Sequence, residues 1–121
     1  MIRLLPVAAA LLASTSLVQA AGPATPPTPT ETTLECVEGQ VWDADTQTCV
    51  VPEPAMFNDD TLYGMAQELA YAGHYDDALA VLKLAANPAD PGIRTYMAFA
   101  HRKAGRMDRA MQIYTAVIAD H

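Results

Sequence analysis

The carboxyl-terminal half of the chain repeats itself with a period of 32 residues. Moving the sequence along itself by that distance places Gly73 on Gly105, Asp76 on Asp108 and Ala78 on Ala110. A helix–turn–helix unit that recurs at such a period is typical of a solenoid, because each unit leaves an apolar face that only a neighbour can cover. The recurrence therefore predicts an all-α fold of two stacked helical hairpins over residues 58–121.

Apolar spacing predicts two helices in each repeat. Asn58 and Asp90 are the predicted N-caps of the first and third helices, and Gly73 and Gly105 are predicted to end them. The second helix is predicted to begin near residue 76 and to end before Pro88. The apolar positions expected on the buried faces are Leu62, Met65, Ala66, Leu69, Ala70, Ala78, Val81, Leu82, Ala85, Ala86, Ile93, Met97, Ala100, Ala104, Ala110, Ile113, Tyr114, Val117 and Ile118.

The two turns resemble those of the tetratricopeptide repeat family, in its exported bacterial form with about two repeats. Residues 72–79 read AGHYDDAL and residues 104–110 read AGRMDRA. In that family a glycine, a large residue two positions further on and an alanine three beyond allow the two helices to pack closely. A glycine accepts the left-handed conformation that ends a helix, and a methyl side chain permits a short interhelical distance. The predicted repeat-packing residues are Gly73, Tyr75, Ala78, Leu82, Gly105, Met107, Ala110 and Tyr114.

The resemblance implies binding of a protein or peptide partner on the concave side, which is lined by the first helix of each pair. Aromatic rings beside a basic pair suit an extended peptide with an acidic group. Tyr63 and Gln67 stand where the carboxylate-clamping members of the family have Lys and Asn, and a solvated face with amphipathic tyrosines is the alternative interpretation. The predicted partner-binding positions are Asp60, Tyr63, Gln67, Tyr71, Thr95, Phe99, Arg102 and Lys103.

The last predicted helix is apolar and no polar capping helix follows it in the sequence. Three or more repeats are usually needed for stability, because the end units leave apolar surface uncovered. We therefore expect either that the gene continues beyond His121 or that the protein associates with itself through the last helix.

The amino terminus has the pattern of a secretory signal peptide. Arg3 precedes the apolar residues 4–12, and small residues lead to Ala20, after which cleavage is predicted. A membrane anchor is the alternative, but it needs about 20 unbroken apolar residues. Residues 1–20 are therefore predicted to be a signal peptide of an exported protein, periplasmic or secreted, with no integral membrane segment after cleavage. Residues 21–34 are rich in Pro and Thr and are predicted to form a disordered spacer.

Cys36 and Cys49 are the only cysteines, and an even pair in an exported chain is most simply a disulfide. They are predicted to close a β-hairpin over residues 35–52, in which Val41 and Trp42 form the first strand. This segment resembles part of the peritrophin-type chitin-binding modules, in which a glycine and an aromatic–Asp step lie between two cysteines. A secreted carbohydrate-binding protein, with Trp42 stacked on a sugar ring, is thus a second hypothesis. The alternative is that Trp42 packs over the disulfide as the hairpin's only core.

Charge and the remaining motifs argue against other functions. Residues 21–60 carry eight carboxylates and no Lys or Arg, which argues against a nucleic-acid partner. The three histidines are not at metal-ligand spacing and the six glycines stand alone, so we expect no enzyme, no cofactor and no metal. A basic cluster is predicted to dock onto the acidic residues 31–60 of the same or another chain, or else to be a solvated rim. Its members are Arg102, Lys103, Arg106 and Arg109.

Overall fold

The computed structural model describes residues 26–121. The predicted signal peptide and the first part of the predicted spacer therefore lie outside the described residues. The elements, in chain order, are α1 (Glu31–Leu34), β1 (Val41–Asp43), β2 (Thr48–Val50), α2 (Asp59–Tyr71), α3 (Tyr75–Leu82), α4 (Pro91–Lys103) and α5 (Met107–Asp120). Within the described part of the chain, every helix is too short or too polar to cross a bilayer.

The helices α2 to α5 form two helical hairpins, as the repeat predicts. The Asn58 side chain accepts a hydrogen bond from the Thr61 N–H at 2.8 Å, and that of Asp90 accepts one from the Ile93 N–H at 3.0 Å. Gly73 and Gly105 follow the ends of α2 and α4 with φ of +86° and +85°. Only glycine adopts this conformation at little cost, so each hairpin turns where its glycine stands.

The core lies between the helices of each hairpin and between the two hairpins. Leu62 of α2 and Leu82 of α3 are fully buried in it, and Ala78 and Ala110 are fully buried at the two elbows. Their methyl groups allow the paired helices to approach closely. Burial of these apolar side chains is the main source of stability of the repeats.

The second predicted helix is shorter than expected, and Ala86 is exposed rather than buried. Helix α3 ends at Leu82, and the chain then turns. The Asp59 carboxylate at the start of α2 accepts hydrogen bonds from the N–H groups of Ala86 and Asn87, at 2.7 and 3.0 Å. These two bonds tie the segment to α2 and keep it out of the helix.

One face of α5 is open to solvent. Met107 and Ile118 are exposed, although the sequence predicts that both are packed. Ile113, Tyr114 and Val117 are half-buried against the rest of the hairpin. Among residues 26–121 no further helix follows α5, so the outer part of its apolar face has no neighbour.

The last residues of the predicted spacer are ordered. Thr30 is the N-cap of α1, and the helix packs against α2 through the buried carboxylate of Glu68. Glu68 accepts hydrogen bonds from the N–H and Oγ1 of Thr30, at 2.8 and 2.7 Å, and from the N–H and Oγ1 of Thr33, at 3.2 and 2.6 Å. Composition alone predicts a mobile segment here, whereas a carboxylate distant in sequence holds it in place.

The predicted disulfide between Cys36 and Cys49 is present, and it closes an antiparallel hairpin. Trp42 pairs with Cys49 across the two strands, so its side chain lies on the same face as the disulfide. Val41, which points to the opposite face, is only 1% exposed and joins the helical core. Val41 rather than Trp42 is therefore what the hairpin contributes to the core. We call residues 30–51, which contain α1, the hairpin and the disulfide, the amino-terminal cap.

Candidate functional site

A groove runs between α2 and α4, the first helices of the two hairpins. It encloses about 570 Å³. We call it the aromatic groove, because five of its nine lining residues are Tyr or Phe. The lining residues are Tyr63, Gln67, Tyr71, Pro91, Gly92, Thr95, Tyr96, Phe99 and Tyr114.

The aromatic rings in the middle of the groove contact one another. The ring centroids of Tyr63 and Tyr96 lie 5.2 Å apart in an edge-to-face arrangement, and those of Tyr96 and Phe99 lie 5.1 Å apart. Such pairs are worth about 0.5–1.5 kcal/mol beyond their buried area, so the rings hold each other in position. The result is a rigid apolar floor.

The Tyr96 hydroxyl is buried and has no hydrogen-bond partner among residues 26–121. Burial, together with the neighbouring Tyr63 and Tyr71, raises the pKa of Tyr96 to about 12. The hydroxyl therefore stays neutral at any physiological pH. An unsatisfied buried hydroxyl costs about 1–3 kcal/mol, so an acceptor brought to this place would be favoured.

One end of the groove is basic. Tyr71 and Phe99 also line an adjoining hollow of about 350 Å³, whose other lining residues include Arg102 and Lys103. The Arg102 guanidinium lies 5.4 Å from the centre of the Phe99 ring, and the Lys103 ammonium lies 6.0 Å from it. Both cations thus stand at the rim of the aromatic floor, in position to meet an anionic group beside an apolar one.

The opposite end is acidic. Tyr63 and Gly92 border a hollow of about 240 Å³ that is also lined by Asp59, Asp60 and Asp90. The carboxylates of Asp59 and Asp90 accept backbone hydrogen bonds, whereas Asp60 is exposed. The starts of α2 and α4 meet here, and their ends meet at the basic hollow, so the two helices run parallel along the groove.

The structure places all the predicted partner-binding residues along this groove. Tyr63, Gln67, Tyr71, Thr95 and Phe99 line its middle, Arg102 and Lys103 its basic end, and Asp60 its acidic end. The sequence analysis missed Tyr96, and it assigned Tyr114 to packing alone. Tyr96 lies three positions before Phe99, a spacing that puts both on one helix face, and this was the signal available.

The predicted basic cluster is divided between different surfaces. Arg106 donates hydrogen bonds to His101 Nδ1 at 2.9 Å and to Asp76 at 2.7 Å. Arg109 lines a separate hollow with Lys83 and Arg94. Burial, and then the charges of Arg106, Arg109 and Lys83, lower the pKa of His101. Only Arg102 and Lys103 of the cluster therefore belong to the groove.

The second hypothesis finds no matching site. Trp42 is half-buried beside the disulfide and lines neither the groove nor its two ends. Over residues 26–121, no three His, Cys, Asp or Glu side chains are grouped as metal ligands would be.

Comparison with known proteins gives one match. A model of the tetratricopeptide repeat family matches residues 55–121, which is more than half of the chain and includes α2 to α5. Neither the curated proteins nor the solved structures include a significant match to this chain. The match does not extend to the hairpin, so the chitin-binding resemblance gains no support from it.

Proposed function

The chain belongs to the tetratricopeptide repeat family, and from this premise we propose that it is a non-enzymatic interaction module that binds an extended segment of a partner protein in the aromatic groove. Repeats of this family are in general protein–protein interaction modules. The observation that carries the proposal is an aromatic floor between two ends of opposite charge.

The dimensions of the groove suit a short extended peptide. Helices α2 and α4 have 13 residues each, which makes each about 20 Å long. An extended chain advances about 3.3 Å per residue, so about six residues span the groove. The ring faces favour apolar side chains in the middle of the ligand. An acidic residue would lie beside Arg102 and Lys103, and a basic residue beside Asp60.

Labelled peptides of about seven residues test this proposal by fluorescence anisotropy. One carries Lys first and Glu last with apolar residues between them, a second has the reverse order, and a third has Gln at both ends. We expect one of the charged peptides to bind more tightly than the Gln peptide. Phe99→Ala should weaken its binding at least about tenfold, because this ring serves both the groove and its basic end.

Two variants serve as controls for the peptide experiment. Arg102→Glu should weaken the charged peptide but leave the affinity of the Gln peptide unchanged, because only the charged peptide meets that cation. Met111→Ala, an exposed position of α5 outside the groove, should bind as the parent does. Equal binding by the parent and Phe99→Ala would place the ligand elsewhere and contradict the proposal.

We also propose that the protein is exported after cleavage behind Ala20. Two observations support export: the signal-peptide pattern of residues 1–20 and the disulfide, since disulfides persist in oxidising compartments. The test is the amino-terminal sequence of the mature protein, which we expect to begin at Ala21. A mature chain that retains Arg3 would contradict export by this route.

A further inference from the structure

Exposed apolar side chains collect around the disulfide of the amino-terminal cap. Leu34, Val37 and Val51 are 71%, 66% and 63% exposed. Each lies within two residues of Cys36 or Cys49, whose Cα atoms are 5.5 Å apart. We call these three residues the head patch. Clustered exposed apolar residues of this kind mark interaction surfaces more often than single ones do.

A second group lies on α5. Met107, Met111 and Ile118 are 51%, 54% and 77% exposed, and the half-buried Tyr114 lies between them. Their spacing of four, three and four residues puts all four on one stripe of the helix. We call Met107, Met111 and Ile118 the tail patch. The spacing is that of a helix seam that packs against another surface.

The two patches lie at opposite ends of the molecule. The principal contacts between elements follow chain order, from the cap to α2, α3, α4 and α5. One molecule therefore leaves both patches open, and neither covers the other.

The charges around the two patches are opposite. Glu35, Glu38 and Glu53 are exposed next to the head patch, and residues 31–53 carry six carboxylates and no cation. Residues 91–120, which form the hairpin of the tail patch, carry five Arg or Lys and two Asp. Two tail patches facing each other would bring like charges together, whereas a head patch facing a tail patch pairs unlike charges.

We propose that the tail patch of one molecule docks on the head patch of a second copy, so that the protein associates head to tail. This commits the open face of α5 to an acidic apolar surface that the chain itself supplies. The contact is heterologous, so each copy in an assembly still offers one free head and one free tail. It leaves the middle of the aromatic groove accessible, and it does not depend on what the groove binds.

Two variants that each block one patch test the arrangement. Val37→Lys places a cation in the head patch, where it would face the basic tail. Met111→Glu places a carboxylate in the tail patch, where it would face the acidic head. Both positions are exposed, so both variants should fold, and circular dichroism checks this. The parent should form species larger than a monomer in sedimentation experiments, less so at high salt, where surface charges are screened.

Each variant alone should be a monomer, because a head-to-tail contact needs both intact patches. An equimolar mixture should form a dimer and nothing larger, since Met111→Glu keeps its head and Val37→Lys keeps its tail. A tail-to-tail contact would instead leave Val37→Lys associated as the parent is, and a monomeric mixture would show that the patches do not meet. Either result, or a parent that stays monomeric at high protein concentration, overturns the proposal.

Discussion

Removing the disulfide with Cys36→Ala and Cys49→Ala should lower the free energy of unfolding of the helical repeats by about 3 kcal/mol. The cross-link closes a loop between residues 13 apart in sequence and so restricts the unfolded chain. It also holds Val41 in the same core as Leu62 of α2. A loosened hairpin would expose that part of the core, and the loss should therefore reach the helices.

Far-UV circular dichroism, which reports on helix, measures this effect. For a domain of 60–100 residues the expected change corresponds to a melting temperature lower by about 12–24 °C. A matched control, Val37→Ala with Val51→Ala, changes exposed residues of the same segments and keeps the cross-link, so it should change stability by no more than about 0.5 kcal/mol. If the helices of the double cysteine variant melt as those of the parent do, the hairpin is an independent appendage rather than a cap.

Glu68→Ala should lower the free energy of unfolding by about 2–3 kcal/mol, because hydrogen bonds to a charged group are the strong ones. The side chain is 7% exposed and is the acceptor for two donors of Thr30 and two of Thr33. Without it the first turn of α1 loses its anchor on α2. Urea unfolding at neutral pH measures the change, and Glu53→Gln, at an exposed carboxylate, is the control that should leave stability unchanged.

The contribution of Glu68 should also depend on pH. Burial raises the pKa of Glu68, but the hydrogen bonds from Thr33 and Thr30 outweigh it and hold the pKa below its usual value of 4.5. The folded protein thus binds this proton less readily than the unfolded chain, so the stabilisation is present above pH 4.5 and is lost as the pH falls through the folded pKa. The difference in stability between the parent and Glu68→Gln should shrink below pH 4.5. A difference that stays constant down to acid pH would show that the carboxylate charge contributes nothing.

The helical repeats were predictable because their signals are local. The N-caps Asn58 and Asp90 and the turn glycines Gly73 and Gly105 each act within one helical turn, so a single sequence contains all that is needed. The positions that line the groove followed from the family resemblance, since they lie at one helical period on α2 and α4.

Arg94 shows where that reasoning stops. It stands where the family has an early Trp, and an arginine there suggests a looser contact. In the structure Arg94 is partly buried and forms a salt bridge of 2.8 Å with Asp120, which lies 26 residues further along. The bridge joins the start of α4 to the end of α5. No pattern within either helix indicates this partner.

The sequence by itself determined the type and number of the long helices, where they turn and which side chains line the concave face, because spacing along a helix decides these properties. Only the tertiary structure decided that Thr30 and Thr33 meet Glu68, that Val41 enters the helical core, and that the groove has ends of opposite charge. Each of these depends on how close residues from different elements come. That distance is set by the packing of whole elements against one another, which no local pattern contains.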